Sequence, residues 1–190
     1  MGMRSGLRMF SMLEVVKADF KAAARRVEEL VFLFVASLAA GVVGSYAGRY
    51  AVFLVAFLAS QLSAYLYVIR DWDRGVLEGL VYYAGHSGVY VSKLVVTSAL
   101  SMASTALSSL FIDLSLAPLA AAAAFLMSTL AALAALFAVY GGLPPPAATA
   151  MTAVLALPPL AMVVEGAPAW LAAVFTTAIG IVVAGLLDRL

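Results

Sequence analysis

Residues 114–164 read LSLAPLAAAAAFLMSTLAALAALFAVYGGLPPPAATAMTAVLALPPLAMVV, 51 positions without a charged side chain. As one helix they would extend about 76 Å at ~1.5 Å per residue, against the ~30 Å of hydrocarbon in a bilayer. The run must turn. Gly141-Gly142-Leu143-Pro144-Pro145-Pro146 is where it can, because glycine and proline in series break helices. That divides the run into one apolar span over 115–140 and another over 147–164. Beyond it, Glu165-Gly166-Ala167-Pro168 makes a second break before a span over 169–187.

Working back toward the N-terminus, charges punctuate the rest of the chain. Lys93 and Asp113 bracket an uncharged run over 94–112, Arg49 and Arg70 bracket 50–69, and Glu29 and Arg49 bracket 30–48. Each is about the length a helix needs to cross a membrane. The expectation is an all-α integral membrane protein, residues 1–190 forming one domain of six transmembrane helices.

Composition agrees. Of 190 residues, 65% are hydrophobic and 11% charged, with a mean hydropathy of +1.09; soluble chains carry roughly 25% charged residues. The net charge of +1 offers no surface for nucleic acid. The absence of cysteine excludes disulfides, thiol catalysis and Cys-containing metal sites, and the single histidine, His86, cannot alone build a histidine metal site. Asparagine is absent and Gln61 is the only glutamine. Heat adaptation and a GC-rich genome both account for that bias.

Basic residues are retained on the cytoplasmic side of membrane proteins. Arg4, Arg8, Lys17, Lys21, Arg25 and Arg26 precede the first span, Arg70, Arg74 and Lys93 follow the second, and Arg189 follows the sixth. With six spans these fall on one side and only Arg49 on the other, which predicts a multi-pass protein of the cell membrane with both termini cytoplasmic. Residues 9–29 read as an amphipathic interfacial helix leading into span one. Phe10, Leu13, Phe20, Ala24 and Val27 form its apolar side, opposite Lys17, Lys21, Arg25 and Glu28. No short apolar stretch with a small-residue cleavage site marks a signal peptide, and Gly6 stands where a myristoylation motif needs Ser or Thr.

The longest polar stretch inside the bundle is 70–93. Asp71 or Asp73 can cap a short helix there, Leu77, Leu80, Val81 and Ala84 give it an apolar stripe, Gly85 can end it, and Ser87 can cap the next helix. Such a helix suits either docking into a partner's groove or lying on lipid.

Asp73-Arg74-Gly75-Val76-Leu77-Glu78-Gly79-Leu80, followed by Ser87 and by Lys93 at the opening of a span, resembles the cytoplasmic loop of type 2 ABC exporter permeases. Within that group it is most similar to the heme exporter protein B family of cytochrome c maturation. Leu157-Pro158-Pro159-Leu160 resembles that family's proline-bearing fifth helix. The loop departs from the family at Tyr82-Tyr83-Ala84-Gly85-His86. The link over 141–146, normally basic, carries no charge.

The resemblance implies a permease without catalytic residues of its own. ATP would be hydrolysed by a separate ABC ATPase subunit, since no phosphate-cradling Gly-x4-Gly-Lys-Ser/Thr occurs in the chain. The loop would be the coupling helix, touching that ATPase through Asp73, Gly75, Leu77, Glu78, Leu80 and Val81. A second permease copy or a paralogue would flank the transport path, heme would be the cargo, and cytochrome c maturation proteins would be partners. A lipid, drug, peptide or ion as cargo is the alternative, as is a scaffold or channel with no ATPase.

Other features carry less. Pro158 and Pro159 deprive the carbonyls of Val154 and Leu155 of helical donors, a kink that serves either packing or a hinge. Gly44 and Gly48 form a GxxxG that could sit at a dimer seam. Asp113 and Glu165 fall at span ends as loop residues, and mid-span Gln61 should face the bundle interior. Gly85-His86-Ser87-Gly88 matches the Gly-x-Ser-Gly string of rhomboid proteases, but the only available base is the serine's own neighbour. His86 reads as a loop histidine in preference to a heme ligand.

Overall fold

A computed structural model describes residues 3–164 and 168–188. Among these residues the chain is helical with no strand. The elements are α1 (Met3–Arg25), α2 (Val27–Ser45), α3 (Ala51–Ala64), a π-helical turn (Tyr65–Ile69), α4 (Arg70–Asp73), α5 (Val76–Ile112), a 3-10 turn (Leu114–Leu116), α6 (Ala117–Tyr140), α7 (Pro145–Val164) and α8 (Ala169–Leu187).

Four stretches are long and apolar enough to cross a membrane: Val27–Ser45, Ala51–Asp73, Val76–Ile112 and Leu114–Tyr140. Two further apolar stretches, Pro145–Ala161 and Trp170–Leu186, are shorter. Large apolar side chains lie exposed along the outside, Val35, Leu54, Val154, Leu157, Phe175 and Val182 among them. A bilayer covers such a surface and water does not. The architecture is compatible with a multi-pass membrane protein.

The glycine-proline break lies where the sequence puts it. The Gly142 N–H reaches the Val139 carbonyl at 3.2 Å and the Leu143 N–H the Ala138 carbonyl at 2.7 Å, with Gly142 left-handed at φ 62°. This pairing satisfies the last carbonyls of α6, and it needs glycine at the left-handed position. Pro145 then opens α7. Of the second predicted break, 165–167 lies outside the described residues, and with it Glu165.

Boundaries elsewhere differ from the sequence reading. The single helix expected over 9–29 is divided at Arg26, whose ψ of 63° is not helical. Helix α5 enters the bundle eight residues earlier than the apolar run beginning at Leu94, because Gly85 (φ 68°, ψ 172°) divides it into limbs over 76–84 and 86–112. The π-helical turn has no counterpart in the sequence reading. Its i→i+5 bonding shifts the residues beyond it, Asp71 included, out of α-helical register.

Helix α6 is the hub, buried on nearly every side between α5, α3, α8 and α7. Apolarity all round is what a fully enclosed helix requires, and its alanines allow close approach. Helices α2 and α5 meet through small residues: a Cβ added to Gly41 would lie 2.9 Å from both Cβ and the carbonyl oxygen of Ser108. Hydroxyls join the interior, with Ser128 of α6 bonding both Ser101 of α5 and Ser60 of α3.

Candidate functional site

The limb over 76–84 stands at one end of the bundle, bracketed by two left-handed glycines, Gly75 (φ 70°) and Gly85 (φ 68°). Gly75 occupies its N-cap position, where the sequence suggested Asp71 or Asp73. The apolar stripe turns inward. Leu77 is fully buried in the same apolar cluster as Val68, Ile69 and Val139, and Leu80 and Val81 pack against that cluster. The outward face is Val76, Glu78, Gly79, Tyr82 and Tyr83, the two tyrosines 85% and 78% exposed with their rings edge to face at 5.5 Å. Of the residues expected to touch a partner, Gly75 and Glu78 are therefore open, Leu80 and Val81 are half-buried, and Leu77 holds the limb to its own bundle. Asp73 is exposed and lines a recess beside Trp72 and Gly142.

Beneath this limb lies a buried charge cluster. Lys93, 2% exposed, places Nζ 2.6 Å from Asp71 Oδ2 and 3.1 Å from Asp19 Oδ1. Ser92 donates its hydroxyl to the second oxygen of Asp19. Arg26 closes the other side of Asp71, Nη2 to Oδ1 at 2.6 Å, and its guanidinium stands 5.7 Å from the Tyr67 ring centroid. Glu29 extends the cluster to Arg70 at 2.9 Å, Arg74 at 3.3 Å and Arg26 at 3.6 Å. Burial alone would lower the Arg26 pKa, but the hydrogen bond and field of Asp71 raise it above its ordinary value.

The cluster explains how α1 is seated. Val15, Asp19 and Ala23, one turn apart, face α5, whereas Leu13 and Phe20 of the predicted apolar side are exposed. A face centred on an aspartate is unreadable from hydrophobic periodicity. Every buried carboxylate here has a cation, the condition under which buried charge is tolerated. The cluster joins α1, α2, α4 and α5, and α4 leads directly through Gly75 into the 76–84 limb.

The second limb of α5 is capped from the far end of the chain. Asp188, just past α8, accepts the His86 N–H at 2.6 Å, the Ser87 N–H at 3.3 Å, the Ser87 hydroxyl at 2.6 Å and His86 Nδ1 at 2.9 Å. Ser87 was the expected cap; its hydroxyl instead donates to the carboxylate that takes that role. Partial burial works to raise the Asp188 pKa, but these hydrogen bonds outweigh it and hold the group at about 2. The serine addresses Asp188 and not the imidazole, so no nucleophile–base pair forms. His86 also meets the Tyr140 ring edge to face at 4.9 Å.

Other predicted positions are ordinary. Gly44 is buried, its α-carbon facing Ala51 and Ile112, and Gly48 is a turn residue at φ 82°. Helix α7 runs on through Pro158 and Pro159. Gln61 buries its amide nitrogen without a partner among the described residues. Asp113 caps the turn after α5, its pKa lowered by the Ser115 hydroxyl and backbone N–H. Among the described residues no three acidic or histidine side chains gather as a metal site.

No family model, curated protein or solved structure matches this chain.

Proposed function

We propose that this chain is the permease subunit of an ABC exporter, similar to heme exporter protein B, with six spans, both termini cytoplasmic and ATP hydrolysed by a partner subunit. One observation carries the reading: the short 76–84 limb, bracketed by Gly75 and Gly85, stands out at the bundle end and is tied to it through Leu77 and the charge cluster. A helix that must pass a partner's movement into a membrane bundle needs an exposed face and a rigid attachment, and this one has both. Val76, Glu78, Tyr82 and Tyr83 make the contact face. Tyrosines suit it, since aromatic residues dominate interface energetics.

The charge distribution supports the orientation. The cluster, the 141–144 turn and Asp188 gather at one end, and that end is cytoplasmic by the retention of basic residues. Helices α7 and α8 complete six spans in this reading. Heme is the proposed cargo on the loop resemblance, with lipid, drug, peptide or ion as alternatives.

Affinity purification from native membranes in mild detergent, with mass spectrometry of bound proteins, tests the class. A stoichiometric subunit carrying a Walker motif supports the exporter, and accompanying heme-handling proteins select heme. If no ATPase appears even after crosslinking with non-hydrolysable ATP, the reading fails and a scaffold or channel replaces it.

A further inference from the structure

Between α3 and α7, with α6 as its floor, runs an open-sided groove of about 710 Å³. Its walls are Phe57, Leu58 and Leu62 on one side and Ala150 and Ala153 on the other, and the floor is Ala131 and Ala135. The alanines create the space; the lining is apolar apart from Gln61, Tyr65 and Thr149, and no charged residue lines it. Along α3 and the π-helical turn it reaches from Phe57 to Ile69, about 18 Å at ~1.5 Å per residue. Its size falls within the 300–1,000 Å³ typical of small-molecule sites.

Ile69 and Pro145 line this groove and also a second recess of about 200 Å³, which opens at the charged end of the bundle beside Trp72 and Asp73. Asp71, Arg70 and Arg74 are all engaged in the charge cluster, but Asp73 has no ion pair among the described residues. The two cavities together are therefore uncharged and mainly apolar along the length of α3 and anionic at the end, with an indole at the junction.

We propose that they form one binding site for a cationic amphiphile entering from the bilayer. Its hydrocarbon chain lies along Phe57, Leu58 and Ala150, and its ammonium group meets Asp73 and the face of Trp72. Opposite charge and cation–π attraction both favour such a head group. A neighbouring apolar helix would fill the groove but leave the Asp73 carboxylate unanswered, and a fatty acid would bring a second negative charge to it. The site does not depend on the exporter reading.

The test uses the full chain in phosphatidylcholine nanodiscs, exposed to hexadecylamine, hexadecanol or palmitic acid, each carrying a diazirine on the chain. After illumination, labelled residues are mapped by mass spectrometry. Hexadecylamine should label Leu58 and Ala150 about fivefold more than palmitic acid, the scale of one exposed charge pair. Asp73→Asn, at an exposed position, should abolish that preference without abolishing labelling. Ala150→Trp, which fills the groove, should abolish labelling of Leu58 by all three probes. Equal labelling by the three chains, a preference that survives Asp73→Asn, or crosslinks from the groove to a second copy of the chain would each overturn the proposal.

Discussion

Lys93 Nζ stands 2.6 Å from Asp71 Oδ2, and both side chains are almost wholly withdrawn from the surface. One residue lies at the end of the second long apolar stretch and the other inside the third, so the pair fixes these two apolar stretches to each other. Asp19 takes the remaining side of the ammonium and adds α1 to the same joint. Removing the lysine alone would leave two buried carboxylates, one of them still partnered by Arg26.

Lys93→Met should therefore destabilise the protein by about 3–5 kcal/mol, the range for breaking a buried ion pair from one side. The double variant Asp19→Leu with Lys93→Met should recover most of that, because Asp71 keeps Arg26. Thermal unfolding of the detergent-solubilised variants measures both. A double variant as unstable as the single one would show that Asp19 is not the carboxylate left uncompensated.

Asp188 makes α8 sensitive to acid. Its folded pKa of about 2 lies below the ordinary 3.8, so the carboxylate contributes stability fully present above 3.8 and lost as the pH falls toward 2. Asp188→Asn should flatten the fall in melting temperature across that window and leave its slope at neutral pH unchanged. Melting curves of both proteins from pH 5 downward give the comparison; parallel curves would contradict the cap.

Helix approach through Gly41 gives a steric prediction. Gly41→Ala drives a methyl group to 2.9 Å from the Ser108 backbone oxygen, which cannot swing aside. A loss of about 1–3 kcal/mol is expected, as for overpacking generally. Gly79→Ala, where nothing lies within 4 Å, should not destabilise. Unfolding midpoints of the two variants, measured side by side, decide it.

Glu78→Arg reverses a charge on the exposed face of the 76–84 limb. Its effect on folding should stay within ~0.5 kcal/mol, the usual range for surface positions. ATP-dependent transport and ATPase co-purification should fall by at least about tenfold if like charges meet there. Unchanged transport would remove Glu78 from the interface.

The turn at 141–144 and the apolar helices were legible because glycine, proline and hydrophobic runs act locally. The inward seating of Leu77 was not. An apolar stripe reads the same whether a partner or the chain's own core covers it, and only the bend at Gly85 turns it inward. The charge cluster was hidden for a different reason. Asp19, Asp71 and Lys93 are separated by 74 positions from first to last; alone, Asp19 reads as a polar residue within an interfacial helix, and Asp71 and Lys93 as polar residues at helix ends. Asp188 reaches His86 across 102 positions. Glu29, Arg70 and Arg74 likewise show no pairing pattern until α2 and α4 are placed side by side.

If the chain is an exporter permease, the outward face of the 76–84 limb meets an ATPase. A photo-crosslinking amino acid at Tyr82, activated in native membranes and followed by mass spectrometry, addresses that contact directly. One dominant adduct with a Walker-motif protein, diminished by Glu78→Arg, is expected. Adducts with lipid alone, in membranes supplied with non-hydrolysable ATP, would contradict that contact and make the limb an interfacial helix.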